Sequence, residues 1–367
     1  MSARRVFRLV LANLLIIVAT WLGLLFVTAL LGDLYELAKP FLPRETDERA
    51  LLPNYADHAD ARQLFLDQEK TEEDYVPFVA WKRLPMATPH IHIGEDGNRV
   101  HTRGPENNEP GARSIGFFGG STMWGTGVDD DGTIPAIFDQ LTTGYRVTNY
   151  AQGGYNTRQM LALLVNLIDT GRMPEVVVFY GGFNHVWTHC NYAVTRLLNG
   201  HMIERKIRAA LVERSRWGYV YDEIVAPPVD FARRLIGIKR FTANDFACHD
   251  DPLRAEQVSA VLVRSWEMAR VLVEHAGGRF YAFLQPVAYI GHPRLDYLEL
   301  PRLMQRRQFE TVYPIIRAEL AALHAAWVVD LSDAFDGDEI LYIDDAHVSR
   351  RGNEIIARRM LEKIGGS

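Results

Sequence analysis

Four short stretches of this chain place reactive or hydrogen-bonding groups among glycines. In IGFFGGSTMWGTG, residues 115–127, an apolar run passes through Gly119-Gly120 into Ser121, with Gly125 beyond. Glycines there either make a tight turn or clear the approach to a reactive hydroxyl. A serine hydroxyl attacks only when a neighbouring base takes its proton, and YIDDAHVSRRGNE, residues 342–354, offers that base. Asp344 and His347 are three positions apart, so in a turn or helical start both side chains face the same way. The carboxylate would then orient the imidazole and stabilise the imidazolium; a loop histidine capped by a nearby acid is the alternative. Acyl chemistry also needs donors aimed at a developing oxyanion. NYAQGGYNT, residues 149–157, brings Gly153-Gly154, and YGGFNH, residues 180–185, brings Asn184, whose amide is a donor.

These stretches need a scaffold that collects them, and the pattern around them supplies one. Short β-rich runs occur at 114–118, 146–150, 175–180, 279–284 and 326–331. Amphipathic helical stretches separate them at about 157–169, 252–275, 301–324 and 351–364. Asp251 is placed to cap the second of these helices, with Pro252 in its first turn and Gly277-Gly278 as its stop. Strands alternating with helices predict a parallel sheet covered on both faces, a three-layer α/β/α sandwich. In such sheets ligands collect beyond the carboxyl ends of the strands, which is where Ser121 falls. Nearly a hundred residues separate the third and fourth strands, far more than a crossover needs. An insertion at about 186–250 is therefore expected, serving as a lid, a substrate-binding cap or an elaborated helical layer.

Upstream, Leu9 to Leu31 contains no charged residue. As a helix it spans roughly 34 Å, enough for a bilayer core of about 30 Å. Arg4, Arg5 and Arg8 precede it, while Asp33 and Glu36 follow, so the positive-inside rule keeps the N-terminus in the cytoplasm and sends the rest outward. A cleaved signal peptide is the rival, but the apolar run exceeds the usual length and no Ala-x-Ala site follows. The expected organisation is a cytoplasmic tip and anchor over 1–33, a linker and irregular region over 34–113, and the α/β domain over 114–367. The expected location is a single-pass inner-membrane protein with its α/β domain in the periplasm. Cys190 and Cys248, the two cysteines of the chain, would then meet oxidising conditions; a disulfide and two buried thiols are both open.

At 367 residues the chain suits one large domain or two modest ones, and its 48% hydrophobic and 23% charged residues are ordinary for a globular protein. A formal net charge of −6 gives no basic footprint, so no nucleic-acid partner is expected. The serine loop lacks the lysine of a P-loop. His90 with His92, and His185 with His189, have metal-ligand spacing, but no nearby acid or cysteine cluster completes either set, so no metal is expected; nor is any cofactor. The basic patch from Arg302 to Arg307 reads as a solvated helix face. Trp124, Tyr155 and Trp187 stand near the serine, glycine and asparagine loops, as pocket lining or as packing.

Taken together and in order, the four blocks resemble the SGNH, or GDSL-type, hydrolase family over about 114–364. The resemblance implies a flavodoxin-like sheet of order 2-1-3-4-5. It implies Ser121 as nucleophile, His347 as base and Asp344 as its orienting acid, with Asp345 the weaker candidate. It implies an oxyanion hole from the Ser121 and Gly154 backbone N–H groups and the Asn184 side chain. Gly352 fits the usual continuation past the histidine. Two positions depart from the family pattern: Gly120 stands for the aspartate of Gly-Asp-Ser, and His185 for the aspartate after Gly-x-Asn. The implied function is an extracytoplasmic serine esterase acting on an acyl, above all acetyl, ester of a small molecule or polysaccharide. The alternatives are an O-acetyltransferase using the same residues and a catalytically silent anchored scaffold. The membrane is the partner implied by the N-terminal helix; protein partners are not specified.

Overall fold

The computed structural model describes residues 3–38, 47–102, 111–190, 247–300 and 303–365. Parts of the expected linker (39–46) and irregular region (103–110), and 191–246 of the expected insertion, lie outside the described residues, as does Arg302. The described residues fall into two units, 3–38 and a larger one within 47–190 and 247–365.

Within the first unit, helix α1 (Ala3–Ala38) carries the apolar run. Its segment Arg4–Leu24 has a mean hydropathy of 2.1 and none of it is buried. Among the described residues it is the one helix long and apolar enough to cross a membrane. Phe7, Ile17, Leu24 and Phe26 are all more than half exposed.

The larger unit is built on five parallel strands: β5 (Arg113–Gly119), β6 (Tyr145–Asn149), β7 (Val176–Gly181), β8 (Arg279–Leu284) and β9 (Val328–Asp330). Their order is β6-β5-β7-β8-β9, which is 2-1-3-4-5 counted along the sheet's own strands. Phe117 lies opposite Asn149 on one side and Val178 on the other. Alternate residues point to opposite faces. Ile115, Phe117, Val147, Val178 and Phe283 enter one core with α4 (Ile134–Leu141) and α9 (Arg350–Gly365). The opposite residues Phe118, Phe179 and Phe280 form a row of ring contacts with centroids 5.1–5.3 Å apart. α5 (Thr157–Asp169) and α7 (Pro252–His275) pack against one another on the sheet, and α8 (Leu303–Ala322) packs on α7. The helix starts follow the sequence signals: Asp251 accepts from the Arg254 N–H, and Asn156 and Gln159 make a reciprocal capping box on α5.

Residues 47–102 differ from the expectation of an irregular region. They contain 3-10 turns at Glu48–Leu51 and Pro53–Tyr55, helix α2 (Ala61–Glu69), and two antiparallel hairpins, β1 (Glu73–Val76) with β2 (Ala80–Arg83) and β3 (Met86–Ala87) with β4 (His92–Ile93). The pieces are too short for periodicity to register, which is why the pattern gave no sign of them. They share a small core of Ala50, Tyr55, Ala61, Leu64 and Phe65 with Ile343, next to Asp344.

α6 (Phe183–His189) leads to Cys190, which forms a disulfide with Cys248. The Ala247 N–H also donates to the Cys190 carbonyl. The disulfide and this hydrogen bond thus join two positions 58 apart in the chain.

Candidate active site

Ser121 opens the four-residue helix α3 (Ser121–Trp124), directly after β5. The Gly125 and Thr126 N–H groups close the turn on the Ser121 carbonyl, and Gly125 takes a left-handed φ of 101°. The strand-to-turn geometry lifts the hydroxyl off the carboxyl edge of the sheet. Across from it, the loop 344–349 runs into α9. His347 Nε2 lies 2.6 Å from Ser121 Oγ. On its other side His347 Nδ1 lies 2.9 and 2.8 Å from the two Asp344 oxygens. A carboxylate can only accept, so Nδ1 carries the proton and the Nε2 lone pair faces the serine O–H.

Asp344 is held from several directions. Its Oδ1 accepts from the Ala346 and His347 backbone N–H groups at 3.0 and 2.7 Å, and its Oδ2 from Arg49 Nη1 at 2.8 Å. Burial opposes ionisation, but the charge and hydrogen bonds of His347, with the backbone donors, outweigh it and hold the carboxyl well below the ordinary range. Asp345 goes elsewhere: its Oδ2 accepts from Tyr289 O–H at 3.0 Å and from Gln305 Nε2. Burial and the Asp344 charge push it up to about 6. Of the two adjacent aspartates, Asp344 is the one on the histidine.

The strand ends of β6 and β7 place the other candidates. Gly154 has φ +75°, where a side chain would strain the backbone. Among the described residues, neither the Ser121 nor the Gly154 backbone N–H is taken by a chain acceptor. Asn184 lies in α6 and donates one amide hydrogen from Nδ2 to the Tyr155 carbonyl at 3.0 Å, leaving the second. Gly120 explains itself here: a Cβ at that position would overlap Asn184 Nδ2. The residue that breaks the family pattern is thus the space in which the asparagine amide sits. His185 turns inward, buried, with Nε2 donating to the Val258 carbonyl at 2.9 Å and its ring stacked on His189 at 4.2 Å. Ser121, Gly154, Asn184, Asp344 and His347 are all partly exposed, although most of their chain neighbours are buried.

The remaining sequence candidates fall outside this group. His90 pairs with Asp67 at 2.9 Å and His92 with Asp130 at 2.7 Å, each histidine on its own carboxylate. Trp124 is buried, with the guanidinium carbons of Arg83 and Arg99 3.9 and 4.5 Å from its ring centroid. Tyr155 is buried and donates to the Trp81 carbonyl; Trp187 is partly exposed. Trp124 and Tyr155 are packing.

Several residues around the site escaped the motif search. Gln285, at the carboxyl end of β8, donates from Nε2 to Thr122 Oγ1 at 2.9 Å, and Thr122 Oγ1 donates to the Ala346 carbonyl at 3.3 Å. This buried brace ties the serine turn to the histidine loop. Gln285 lies 163 positions from its partner Thr122, so no local motif names it. Trp81 donates from Nε1 to the Gly153 carbonyl at 2.9 Å, and the Arg83 N–H donates to Gln152 Oε1. Arg99 donates to the carbonyls of Trp124, Gly125 and Val128 and pairs with Asp130. These residues lie in short elements that no period reveals.

No protein-family model matches the sequence, and no curated protein does. Among solved structures, G-D-S-L and esterase chains are similar. A lipolytic protein of the G-D-S-L family from Veillonella parvula is 14% identical, with a TM-score of 0.36 over 68% of this chain and 96% of its own. An acetylxylan esterase from Geobacillus stearothermophilus is 16% identical, with a TM-score of 0.36 over 69% and 94%. An aryl esterase from M. smegmatis is 12% identical, with a TM-score of 0.39 over 70% and 99%.

Proposed function

We propose that this chain is a membrane-anchored serine esterase whose α/β unit works outside the cytoplasm. The observation that carries the reading is the line Ser121 Oγ–His347 Nε2–Asp344, with contacts of 2.6 Å and then 2.8 Å through Nδ1. His347 takes the Ser121 proton as Oγ attacks the ester carbonyl. The negative charge forming on the carbonyl oxygen is received by the Ser121 and Gly154 N–H groups and the free Asn184 amide hydrogen. Collapse expels the alcohol, which leaves with the proton from His347. A water then gives its proton to His347 as it attacks the acyl-Ser121 carbonyl, and His347 returns that proton to Ser121 Oγ as the acid is released. Asp344 keeps the imidazole in the required tautomer throughout.

The location rests on Arg4, Arg5 and Arg8 preceding the exposed apolar helix. The Cys190–Cys248 disulfide accords with an oxidising compartment. For the substrate we take an acetyl ester on a carbohydrate, in keeping with the sequence resemblance. A sugar hydroxyl in place of water would make the same residues an acetyltransferase.

The test is a fluorophosphonate probe on the full chain in detergent. The wild type labels, and Ser121→Ala and His347→Ala do not. A folded wild type that fails to label, or labelling that survives Ser121→Ala, would overturn the reading and leave an anchored scaffold. With an acetylated glycan and a second sugar as acceptor, free acetate marks the esterase and an acetylated acceptor the transferase.

A further inference from the structure

The region before the sheet sends one side chain to the acid of the site. Asp47 caps the turn Glu48–Leu51, accepting from the Arg49 N–H at 3.0 Å. The same carboxylate grips the Arg49 guanidinium through Nε at 3.0 and 3.2 Å and Nη2 at 2.7 Å. The guanidinium carbon also stands 5.0 Å from the Phe65 ring centroid. So clamped, Arg49 directs Nη1 to Asp344 Oδ2 at 2.8 Å, and that same oxygen is 2.8 Å from His347 Nδ1. A cation and an imidazole thus share one carboxylate oxygen.

We propose that Arg49 is a positioning residue for the Ser121–His347–Asp344 site, fixing the Asp344 carboxylate against His347. The proposal rests on the esterase reading. The planar guanidinium, held by Asp47, denies Asp344 the rotation that would take Oδ2 off Nδ1. The adjacent carboxylate, Asp345, is held away from the histidine by Tyr289 and Gln305.

The experiment compares Arg49→Met, which keeps an unbranched chain without charge, with Arg49→Lys, which keeps the charge without the fork. In each full-length protein the rate of fluorophosphonate labelling is measured, and the Nδ1 proton of His347 is followed by NMR of labelled imidazoles, assigned with His347→Gln. In Arg49→Met the labelling rate falls several-fold and the Nδ1 proton is lost to exchange with water, because the carboxylate that holds it turns away. Arg49→Lys recovers part of the rate and of the signal. A folded Arg49→Met with an unchanged rate and signal, or Arg49→Lys indistinguishable from Arg49→Met, overturns the proposal. Should Arg49→Met not fold, Asp47→Asn decides: it keeps the cation and loosens its clamp, so the rate falls, and an unaltered rate overturns the proposal. If the wild type does not label, the esterase reading has failed. The Nδ1 signal then still decides whether Arg49 holds Asp344 against the histidine.

Discussion

Residues 113–190 and residues 47–102 reach the same site by opposite means. The first region is a sheet whose strand ends deliver Ser121, Gly154 and Asn184 as the last step of regular elements. The second has strands of two to four residues, yet it touches the site from outside at several places. Arg49 meets Asp344, Trp81 meets Gly153, Arg99 meets the carbonyls of 124–128, and the Tyr55 hydroxyl donates to the Gly127 carbonyl at 2.7 Å. The sheet edge supplies the groups that would react, and the early region supplies side chains that cross to backbone or carboxylate and hold the loops still. A loop at a strand end carries few contacts of its own, so its geometry is only as sharp as the shell around it.

The comparison breaks most visibly if the sheet-borne groups are not the reactive ones. Ser121→Ala and His347→Ala are expected to lower turnover of an activated acetyl ester by about 10⁴-fold or more while leaving the fold intact. A residual rate near wild type would move the chemistry elsewhere.

The next effect belongs to the early region. Arg99 is almost wholly buried, donates to four carbonyls and pairs with Asp130 at 2.9 Å. Arg99→Met strands those acceptors and should cost roughly 3–5 kcal/mol in chemical denaturation. If the denaturation midpoint does not move, residues 47–102 decorate the site and do not brace it. Gly120→Ala tests the sheet side with a single carbon: it drives Asn184 from its place and should lower kcat about 10²-fold with little change in KM. An unaffected kcat would remove Asn184 from the oxyanion hole.

A smaller effect lies under the site. Burial, against the weaker pull of the Val258 hydrogen bond and with the charge of Arg158, brings His185 down to about 4. The neutral form is therefore favoured in the fold, and full stability is present above the ordinary histidine value of about 6.5. As pH falls from there to about 4, the unfolded chain takes up a proton that the folded one refuses, and stability is lost by roughly 3 kcal/mol. His189, stacked on His185, is lowered in the same direction. His185→Asn should flatten the slope of stability against pH in this window by about one proton; an unchanged slope would place the uptake on another group.

Much of this was legible before any coordinates. The strand at 279–284 and the helices at 157–169 and 252–275 coincide with the periodic runs and their caps. Motifs at strand ends pointed to Ser121, Gly154, Asn184 and His347 because each is marked within about ten residues of chain. Arg49 and Gln285 were not legible, and the reason is distance: Arg49 and Asp344 are 295 positions apart, and Gln285 and Thr122 are 163. Nothing within either neighbourhood names the other. Between Asp344 and Asp345 the motif spacing favoured Asp344, and the fold puts His347 opposite that one and Tyr289 with Gln305 opposite the other.

The amino-acid sequence by itself determined the alternation of strands and helices, the long apolar N-terminal helix, and the chemical types gathered at the strand ends. Each is a local property, fixed by periodicity, capping and side-chain chemistry over one or two turns. The tertiary structure alone decided that Ser121 and His347 stand 2.6 Å apart, that Cys190 meets Cys248, and that Asp344 is shared with Arg49. Hydrogen bonds fail with a few tenths of an ångström of misplacement, and that accuracy comes only from close packing of elements far apart in the chain.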